Sequence, residues 1–363
     1  MMLKLGKRKP LASLLVAALL CSLPWVSVQA AKKNVILAPT ASVAELQEVL
    51  SLESQHPQEQ EPAYQQFLIH PARERGYLWR DEGSGTGGLP KRFRTEQYPL
   101  AKAAWIPSRE GLATLRVSGS ANPGRNEFKP LLQTLRTAAG RGPVYIVDLR
   151  QESHGYLNNE SVSWYGKDNR SNVGLSTAAI LQDEAQRLTA AQGKTVTATA
   201  FGRGKPQGNK TFTVTSTETE AAAVRAAGGH YVRFTLTDML APQPDQVDAF
   251  LKFYKHLPPD AWLHFHCQAG MGRTTTFMTM ADILRNADRV AVEDIAARQY
   301  LLKGVNLLEG GKKDSDDWHE LAAVDRARFI KYFYDYVQAY PKLNKSWSSW
   351  LTAKLAQGEK QAS

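Results

Sequence analysis

The sequence predicts an α/β fold with a mostly parallel central sheet, flanked by helices, and a small β-rich addition. From residue 231 onward, apolar segments of strand length alternate with segments of helical periodicity. Val144–Val147 is a fully apolar run, as expected of a strand buried on both faces. Between 194 and 216, apolar residues instead alternate with threonines around a Gly- and Pro-containing turn, which predicts an antiparallel hairpin. This order of elements is typical of α/β proteins.

Helices are predicted where apolar residues recur at spacings of three and four. The sets are Phe128, Leu131, Leu132 and Leu135; Val247, Phe250, Leu251 and Tyr254; Phe277, Met280, Ala281 and Leu284; and Phe329, Ile330, Phe333, Tyr334 and Val337. A short strand is predicted over Trp262–His266. A further helix is predicted over Ser42–Ser51, ahead of a Gln-, Glu- and Pro-rich link at 55–62.

The first 30 residues have the features of a secretory signal. Four basic residues lie within the first nine positions, Leu11–Leu23 is apolar but too short to span a membrane comfortably, and Val28-Gln29-Ala30 offers small residues to a signal peptidase. We expect an exported protein, periplasmic or secreted, with no stable membrane anchor after cleavage. An uncleaved anchor helix is the alternative.

The sequence predicts four parts. They are a signal at 1–30, an N-terminal helical and linker region at 31–88, a main domain at 89–345 with a β-rich insertion at about 190–220, and a C-terminal tail at 346–363. The tail contains Trp347 and Trp350, to which the sequence assigns no role.

Charge and cysteine content point to an anionic partner and a single functional thiol. The chain has 45 Lys and Arg against 35 Asp and Glu, a net charge of +10, and four of these bases lie in the signal. Of the 2 cysteines, Cys21 leaves with the signal, so Cys267 cannot form an internal disulfide. A lone cysteine is ordinarily a buried small hydrophobe, but its neighbours here favour a chemical role.

Cys267 lies between the end of the predicted strand and the start of the next predicted helix. The loop reads His266-Cys267-Gln268-Ala269-Gly270-Met271-Gly272-Arg273-Thr274. Unsatisfied amides at a helix N-terminus bind phosphate and favour a thiolate. Gly270 and Gly272 allow these amides to converge, Arg273 can clamp two phosphate oxygens, and Thr274 can donate to the sulfur. We therefore expect Cys267 to be a nucleophile and residues 268–272 to bind phosphate.

Two other interpretations of this segment are weaker. His264, His266 and Cys267 suggest a metal site, but on a strand the histidines face one way and the cysteine the other, and no further ligand motif is present. A nucleotide-binding loop would need Gly-Lys-Ser/Thr, whereas Arg273 follows Gly272. The sequence thus predicts no metal and no cofactor, and we expect His266 to brace the loop.

These residues resemble the cysteine phosphatase superfamily, and in particular the protein-tyrosine-phosphatase-like inositol polyphosphate phosphatases, or bacterial cysteine phytases. The resemblance covers roughly residues 89–340 and includes Phe93–Thr95, Val147–Gly155, Thr237–Asp238, Phe253–Pro258 and Trp262–Cys267. It implies a parallel-sheet cysteine-phosphatase core that carries a small partial β-barrel.

The resemblance also implies a two-step reaction with a phosphocysteine intermediate and an aspartic acid that protonates the leaving alcohol. That acid is implied to be Asp238, ahead of the Pro-rich segment Ala241–Pro244. A helix N-terminal charge is the alternative role, but Asp245 already occupies that position. Met239 stands where the family often has His, so one phosphate contact is missing and the order of phosphate removal is open.

Further substrate contacts implied by the resemblance map to Arg94, Asp168, Lys205, Lys312 and Lys313. For each of them a solvated surface side chain is the alternative. Glu152 and His154 are expected to hold the loop or its neighbours.

The resemblance favours a phosphomonoester hydrolase acting on phytate (myo-inositol hexakisphosphate) and lower inositol phosphates. The alternative is a protein tyrosine or dual-specificity phosphatase, including a secreted effector. A non-catalytic anion- or nucleic-acid-binding module lacks any basic stripe, zinc spacing or RNA-binding signature, so nucleic acid is not an expected partner. Because Cys267 must be ionised while Asp238 is protonated, we expect an acidic optimum.

Overall fold

A computed structural model describes residues 72–202, 204–313 and 316–362. The predicted signal, the predicted helix over Ser42–Ser51 and the link at 55–62 lie outside this part of the chain. Within it, no helix has the length and apolar character needed to cross a membrane.

The described residues form eleven strands and eight α-helices. The strands are β1 (Leu78–Gly83), β2 (Arg94–Thr95), β3 (Val117–Ala121), β4 (Val144–Asp148), β5 (His154–Leu157), β6 (Glu160–Tyr165), β7 (Thr195–Gly202), β8 (Lys205–Thr213), β9 (Thr217–Glu218), β10 (His230–Arg233) and β11 (Trp262–Cys267). The helices are α1 (Phe128–Ala139), α2 (Thr177–Ala191), α3 (Glu220–Ala226), α4 (Pro244–Lys255), α5 (Gly272–Asn286), α6 (Val292–Leu301), α7 (Trp318–Ala339) and α8 (Trp347–Ala362).

The central sheet has five strands in the order β10-β4-β11-β3-β2. Four of them run parallel, and β2 pairs antiparallel with β3 at the edge. β4 and β11 are buried along their whole length, as expected of parallel strands covered on both faces. The predicted α/β class and the two predicted strands are therefore confirmed.

Helices cover both faces of this sheet. Side chains alternate along each strand, so the mostly apolar strands present side chains on both faces that must be buried. On one face Ile146 packs in a core cluster with Leu131 and Leu132 of α1 and Val224 of α3. On the other face Phe265 of β11 contacts the rings of Phe250 in α4 and Phe277 in α5. The helices predicted from apolar periodicity are all present.

A second, mixed sheet has six strands in the order β8-β7-β1-β6-β5-β9. The predicted hairpin is confirmed as β7 and β8. This hairpin belongs to a larger sheet, in which β5 and β6 form another hairpin that the sequence analysis did not predict. β1 lies before the predicted boundary at residue 89, yet it pairs with β6 and β7. The chain from Leu78 therefore belongs structurally with the part that follows residue 89.

The C-terminal segment is a helix packed onto the domain. Trp347 and Trp350 are 1% and 8% exposed, and the Trp347 ring contacts Phe329 and Phe333 of α7. The Trp347 amide donates to the carboxylate of Asp248 in α4 at 2.6 Å, which satisfies a free N–H at the start of α8. The two tryptophans thus fix α8 against α4 and α7.

Candidate active site

Cys267 is the last residue of β11, and the loop that follows it leads directly into α5. Its position at the carboxyl end of a central parallel strand is where α/β sheets bind ligands. The side chain is 2% exposed and lines a cavity of about 280 Å³. Met271, which precedes α5, makes no side-chain hydrogen bond to the amides of the first helical turn. Those amides are therefore available to an anion.

The two loop glycines serve different purposes. Gly270 has φ +70°, and a Cβ there would lie 2.3 Å from the backbone nitrogen of Ala121, so both conformation and space require glycine. A Cβ on Gly272 would meet nothing within 4 Å, and Gly272 lines the cavity. Both glycines were expected to shape the backbone, but of the two only Gly270 has the left-handed conformation.

Two arginines from the segment before and within β2 hold the loop from behind. Arg92 donates to the carbonyl of Ala269 at 2.7 Å, and Arg94 donates to the carbonyl of Gly270 at 2.7 Å and to Thr275 Oγ1 at 3.1 Å. Arg94 is 1% exposed, and its burial lowers its pKa to about 10, which leaves it cationic at neutral pH. Arg94 does not line the cavity that contains Cys267, and its guanidinium braces the loop; its expected contact with substrate stays a prediction.

Arg273 and Thr274 lie where the predicted chemistry needs them. The Thr274 hydroxyl donates to Cys267 Sγ at 3.2 Å. Arg273 donates to both oxygens of Glu152, at 2.7 and 3.0 Å, and to the carbonyl of Leu236 at 3.2 Å. Although burial opposes its charge, the carboxylates of Asp238 and Glu152 raise the pKa of Arg273. The guanidinium is therefore a permanent, oriented cation beside the thiol.

Asp238 lines the same cavity as Cys267. One of its carboxylate oxygens lies 3.1 Å from Arg273 Nη2, and the other accepts a hydrogen bond from Asn169 Nδ2 at 2.7 Å. The structure therefore brings the predicted nucleophile, the phosphate-binding arginine and the predicted acid together.

Asp168 was expected to contact substrate, whereas its neighbour Asn169 was not predicted to belong to the site. Asp168 and Asn169 have φ of 54° and 58°, a left-handed conformation that Asp and Asn adopt more readily than other side chains. This turn directs Asn169 to Asp238, whereas Asp168 pairs with Arg170 at 2.5 Å. The Asp-Asn pair ahead of Arg170 was the available signal for such a turn.

The expected lysine contacts lie elsewhere in the structure. Lys205 is exposed at the start of β8, and Lys312 and Lys313 are exposed between α6 and α7; none of the three lines the cavity that contains Cys267. Arg326 of α7 does line it, and its guanidinium donates to the carbonyl of Met239. Burial lowers the pKa of Arg326, while Asp238 opposes that effect. In the sequence, nothing marks Arg326 as a site residue except its position close to the apolar residues of α7.

Beneath the loop, His266 and His154 belong to a buried polar network. Glu220 has one oxygen 2.7 Å from His266 Nε2 and the other 3.1 Å from His154 Nε2, and Asp148 lies 3.2 Å from the same His154 nitrogen. Burial opposes ionisation of His154, and Arg150 adds to this, but Asp148 and Glu184 outweigh both and raise its pKa to about 10. Through Glu220, His266 is thus connected to a charged network that links the loop to β5 and α3.

Among the described residues, Asp148, Glu220 and His266 are close enough for one metal ion to reach all three. Asp148 already accepts hydrogen bonds from the Arg150 amide at 2.9 Å and the Tyr231 hydroxyl at 2.7 Å. With Arg233 and His154 also beside it, the group is a hydrogen-bond and ion-pair network, and a further cation would meet their positive charges.

The fold and loop are those of the protein-tyrosine-phosphatase-like (PTP-like) class. A family model for PTP-like phytases, with the description inositol hexakisphosphate, matches residues 147–285. A PTP-like phytase from Bdellovibrio bacteriovorus is 30% identical, with a TM-score of 0.62, over 78% of this chain and 97% of its own. The chain belongs to the PTP-like phytase family.

Two further relatives are longer than this chain. A PTP-like myo-inositol phosphatase from Mitsuokella multacida, solved in complex with myo-inositol-(1,3,4,5)-tetrakisphosphate, is 37% identical with a TM-score of 0.73; the match covers 78% of this chain and 50% of that one. Effector protein hopD2 of Pseudomonas syringae pv. tomato is 30% identical over 272 residues, 73% of this chain and 57% of the effector. The chain therefore spans about half the length of these two relatives.

Proposed function

We propose that this protein is a cysteine-dependent phosphomonoesterase whose substrates are inositol polyphosphates, phytate among them. The observation that carries the proposal is that Cys267 and Asp238 line one cavity, while Arg273, at the start of the helix that follows the Cys267 loop, contacts Asp238. Family membership and the inositol tetrakisphosphate bound to the Mitsuokella relative support the substrate class.

In the first step, the substrate phosphate binds against the amides of residues 268–272 and the guanidinium of Arg273. Cys267 Sγ attacks phosphorus, an S–P bond forms and the P–O bond to the inositol ring breaks. Asp238 gives its proton to the departing oxygen, so the alcohol leaves neutral. Arg273 balances the charge on the transferring phosphoryl group.

In the second step, water hydrolyses the phosphocysteine. Asp238, now a carboxylate, takes a proton from the water as its oxygen attacks phosphorus, and the S–P bond breaks. The Thr274 hydroxyl, already 3.2 Å from Sγ, stabilises the sulfur as it leaves. Inorganic phosphate is released and the acid is again protonated.

Phosphate release from phytate by the purified protein tests this proposal. We expect release by the wild type and none above background by Cys267→Ser, which differs by one atom. Thermal unfolding of both proteins checks that the fold is unchanged. Hydrolysis by Cys267→Ser at the wild-type rate would rule out a phosphocysteine, and no release from any inositol phosphate by the wild type would rule out the substrate class.

A protein tyrosine phosphatase is a second candidate function: the PTP-like family match allows phosphotyrosyl proteins as substrates, and the similarity to effector protein hopD2 favours an effector role. The substrates are distinguished by the ratio of kcat/KM on phytate and on a phosphotyrosyl peptide. We expect phytate to be preferred, since Arg326 adds a second cation beside the cavity.

Export, proposed from the predicted signal, is tested by fractionating cells that produce the full chain.

A further inference from the structure

Glu82 lies in β1 of the second sheet, outside the loop and the central sheet, yet it is joined to Arg273 by a chain of ion pairs. Both of its oxygens accept from Arg150, at 2.8 and 2.9 Å. Arg150 Nε in turn donates to Glu152 at 3.0 Å, and Glu152 holds Arg273 in a two-point contact. The sequence of charges is Glu82, Arg150, Glu152, Arg273.

A second arm joins Glu82 to the backbone of the loop. Glu82 Oε2 accepts from Asn122 Nδ2 at 3.2 Å, and the Asn122 amide donates to the carbonyl of Gln268 at 3.2 Å. Gln268 directly follows Cys267. Glu82 is itself fixed in the second sheet, because the Ser163 hydroxyl of β6 donates to its other oxygen at 2.8 Å. The Glu82 carboxylate is therefore linked to Arg273 through Arg150 and Glu152, and to the main chain of the loop through Asn122.

The chain of charges is buried throughout. The side chains of Arg150, Glu82, Glu152 and Arg273 are 0%, 3%, 1% and 2% exposed. Burial opposes the charge of Glu152, but Arg273 and Arg150 outweigh it and lower the Glu152 pKa. In such a buried series, removing one charge leaves its neighbour uncompensated. Without the Glu82 charge, Arg150 keeps its ion pair with Glu152 and the weaker influence of Asp148. We expect Glu152 then to interact more strongly with Arg150 and less strongly with Arg273.

We propose that Glu82 is a positioning residue that sets the guanidinium of Arg273 and the amides of the loop for anion binding. The second sheet then contributes to the site through Arg150, Glu152 and Asn122, although none of its strands lines the cavity that contains Cys267. The proposal rests on the proposed function only in that the loop binds an anion next to Cys267; it does not depend on phytate as the substrate.

The test compares alkylation of Cys267 by iodoacetate, whose carboxylate uses the anion-binding loop, with alkylation by neutral iodoacetamide. We expect Glu82→Gln to lower the ratio of the two rates about tenfold, the scale of one weakened charge-assisted hydrogen bond. The kcat for p-nitrophenyl phosphate is expected to fall by a similar factor. Mass spectrometry confirms that Cys267 is the residue modified.

Asp282→Asn is the matched control. Asp282 is a fully buried acid of α5 that accepts from Arg298 Nε at 2.7 Å, so its loss also leaves a buried arginine uncompensated. We expect it to lower the Tm as Glu82→Gln does while leaving the rate ratio within about twofold of wild type. An equal change of the ratio in both variants, or an unchanged ratio in Glu82→Gln, overturns the proposal.

Ser163→Ala provides a second variant should Glu82→Gln fold poorly. It removes a hydroxyl that holds Glu82 without leaving a buried charge. A smaller fall in the rate ratio, about threefold, supports the proposal, and no change at all with an unchanged Tm contradicts it. Because both alkylation rates are measured without a phosphoester, failure to hydrolyse phytate is distinguishable from failure of the positioning role.

Discussion

The guanidinium of Arg273 lies 3.1 Å from the carboxylate of Asp238, so the residue proposed to bind phosphate directly contacts the residue proposed to protonate the leaving group. Arg273 also holds Glu152, which is 1% exposed, whereas the Asp238 side chain is 25% exposed. A phosphate entering from the cavity therefore competes with Asp238 and leaves Glu152 in place. Substrate binding would thus replace the contact between Asp238 and Arg273 by a contact between the phosphate and Arg273.

Replacing Asp238 by Asn removes the proton donor while keeping the shape of the side chain. We expect the kcat for phytate or another alkyl phosphate to fall by about 10²- to 10⁴-fold, the usual contribution of a general acid. With p-nitrophenyl phosphate, whose phenolate leaves without protonation, the fall should be much smaller. Steady-state kinetics on both substrates decide the point; an equal loss on both would remove Asp238 from the role of acid.

Asn169 is expected to orient Asp238 through its 2.7 Å hydrogen bond. Asn169→Gly removes the bond and tolerates the positive φ of this position. We expect kcat for alkyl phosphates to fall about five- to thirtyfold, equivalent to the loss of ~1–2 kcal/mol from a hydrogen bond that orients the acid, with KM little changed. The same variant should have almost no effect in an Asp238→Asn background, and additive losses there would contradict a role through Asp238.

Arg326 offers a second cation to a substrate that carries several phosphates. Arg326→Met keeps an unbranched side chain but removes the charge. We expect KM for phytate to rise about tenfold or more, since a charge-assisted contact is lost, while KM for p-nitrophenyl phosphate changes by less than about twofold. The exposed Lys331 of the same helix provides the control, as Lys331→Met. A rise in KM that is the same for both substrates would assign Arg326 a structural role only.

The centre of the site was predictable because its signals are local in sequence. Cys267 and Arg273 lie in one strand–loop–helix unit, in which a helix N-terminus, a left-handed glycine and a guanidinium determine the chemistry. The parallel strand before it was equally clear, since Trp262, Leu263 and Phe265 make a short segment that is mostly apolar. The residues of this short segment were therefore enough to predict the nucleophile and the phosphate-binding loop.

The surroundings of the site were less predictable because they depend on pairs of residues far apart in the chain. Nothing near Arg94 in the sequence shows that it reaches Gly270, 176 residues away, and so becomes buried. Arg326 and Asn169 likewise acquire their positions only when α7 and the turn after β6 pack beside Asp238. β5 and β6 were missed for a related reason: β6 pairs with β1 and β5 pairs with β9, and both partner strands lie far away in the sequence.

Glu96, next to β2, should make stability depend on pH. It is 2% exposed, and burial raises its pKa from 4.5 to about 7, although the Thr95 hydroxyl donates to it at 2.6 Å. The folded protein therefore holds this proton more tightly than the unfolded chain. The Glu96 contribution to stability is fully present below pH 4.5, falls as the pH rises and is lost above about pH 7.

In Glu96→Gln this pH dependence should disappear, because the amide does not ionise. We expect the free energy of unfolding of the variant, relative to wild type, to rise by up to ~3 kcal/mol between pH 4.5 and pH 8, at about 1.4 kcal/mol per pKa unit. Urea unfolding of both proteins across this range isolates Glu96, since every other titrating group, including His154, is common to both. A difference between the two proteins that is constant with pH would show that Glu96 ionises in the fold as it does in the unfolded chain.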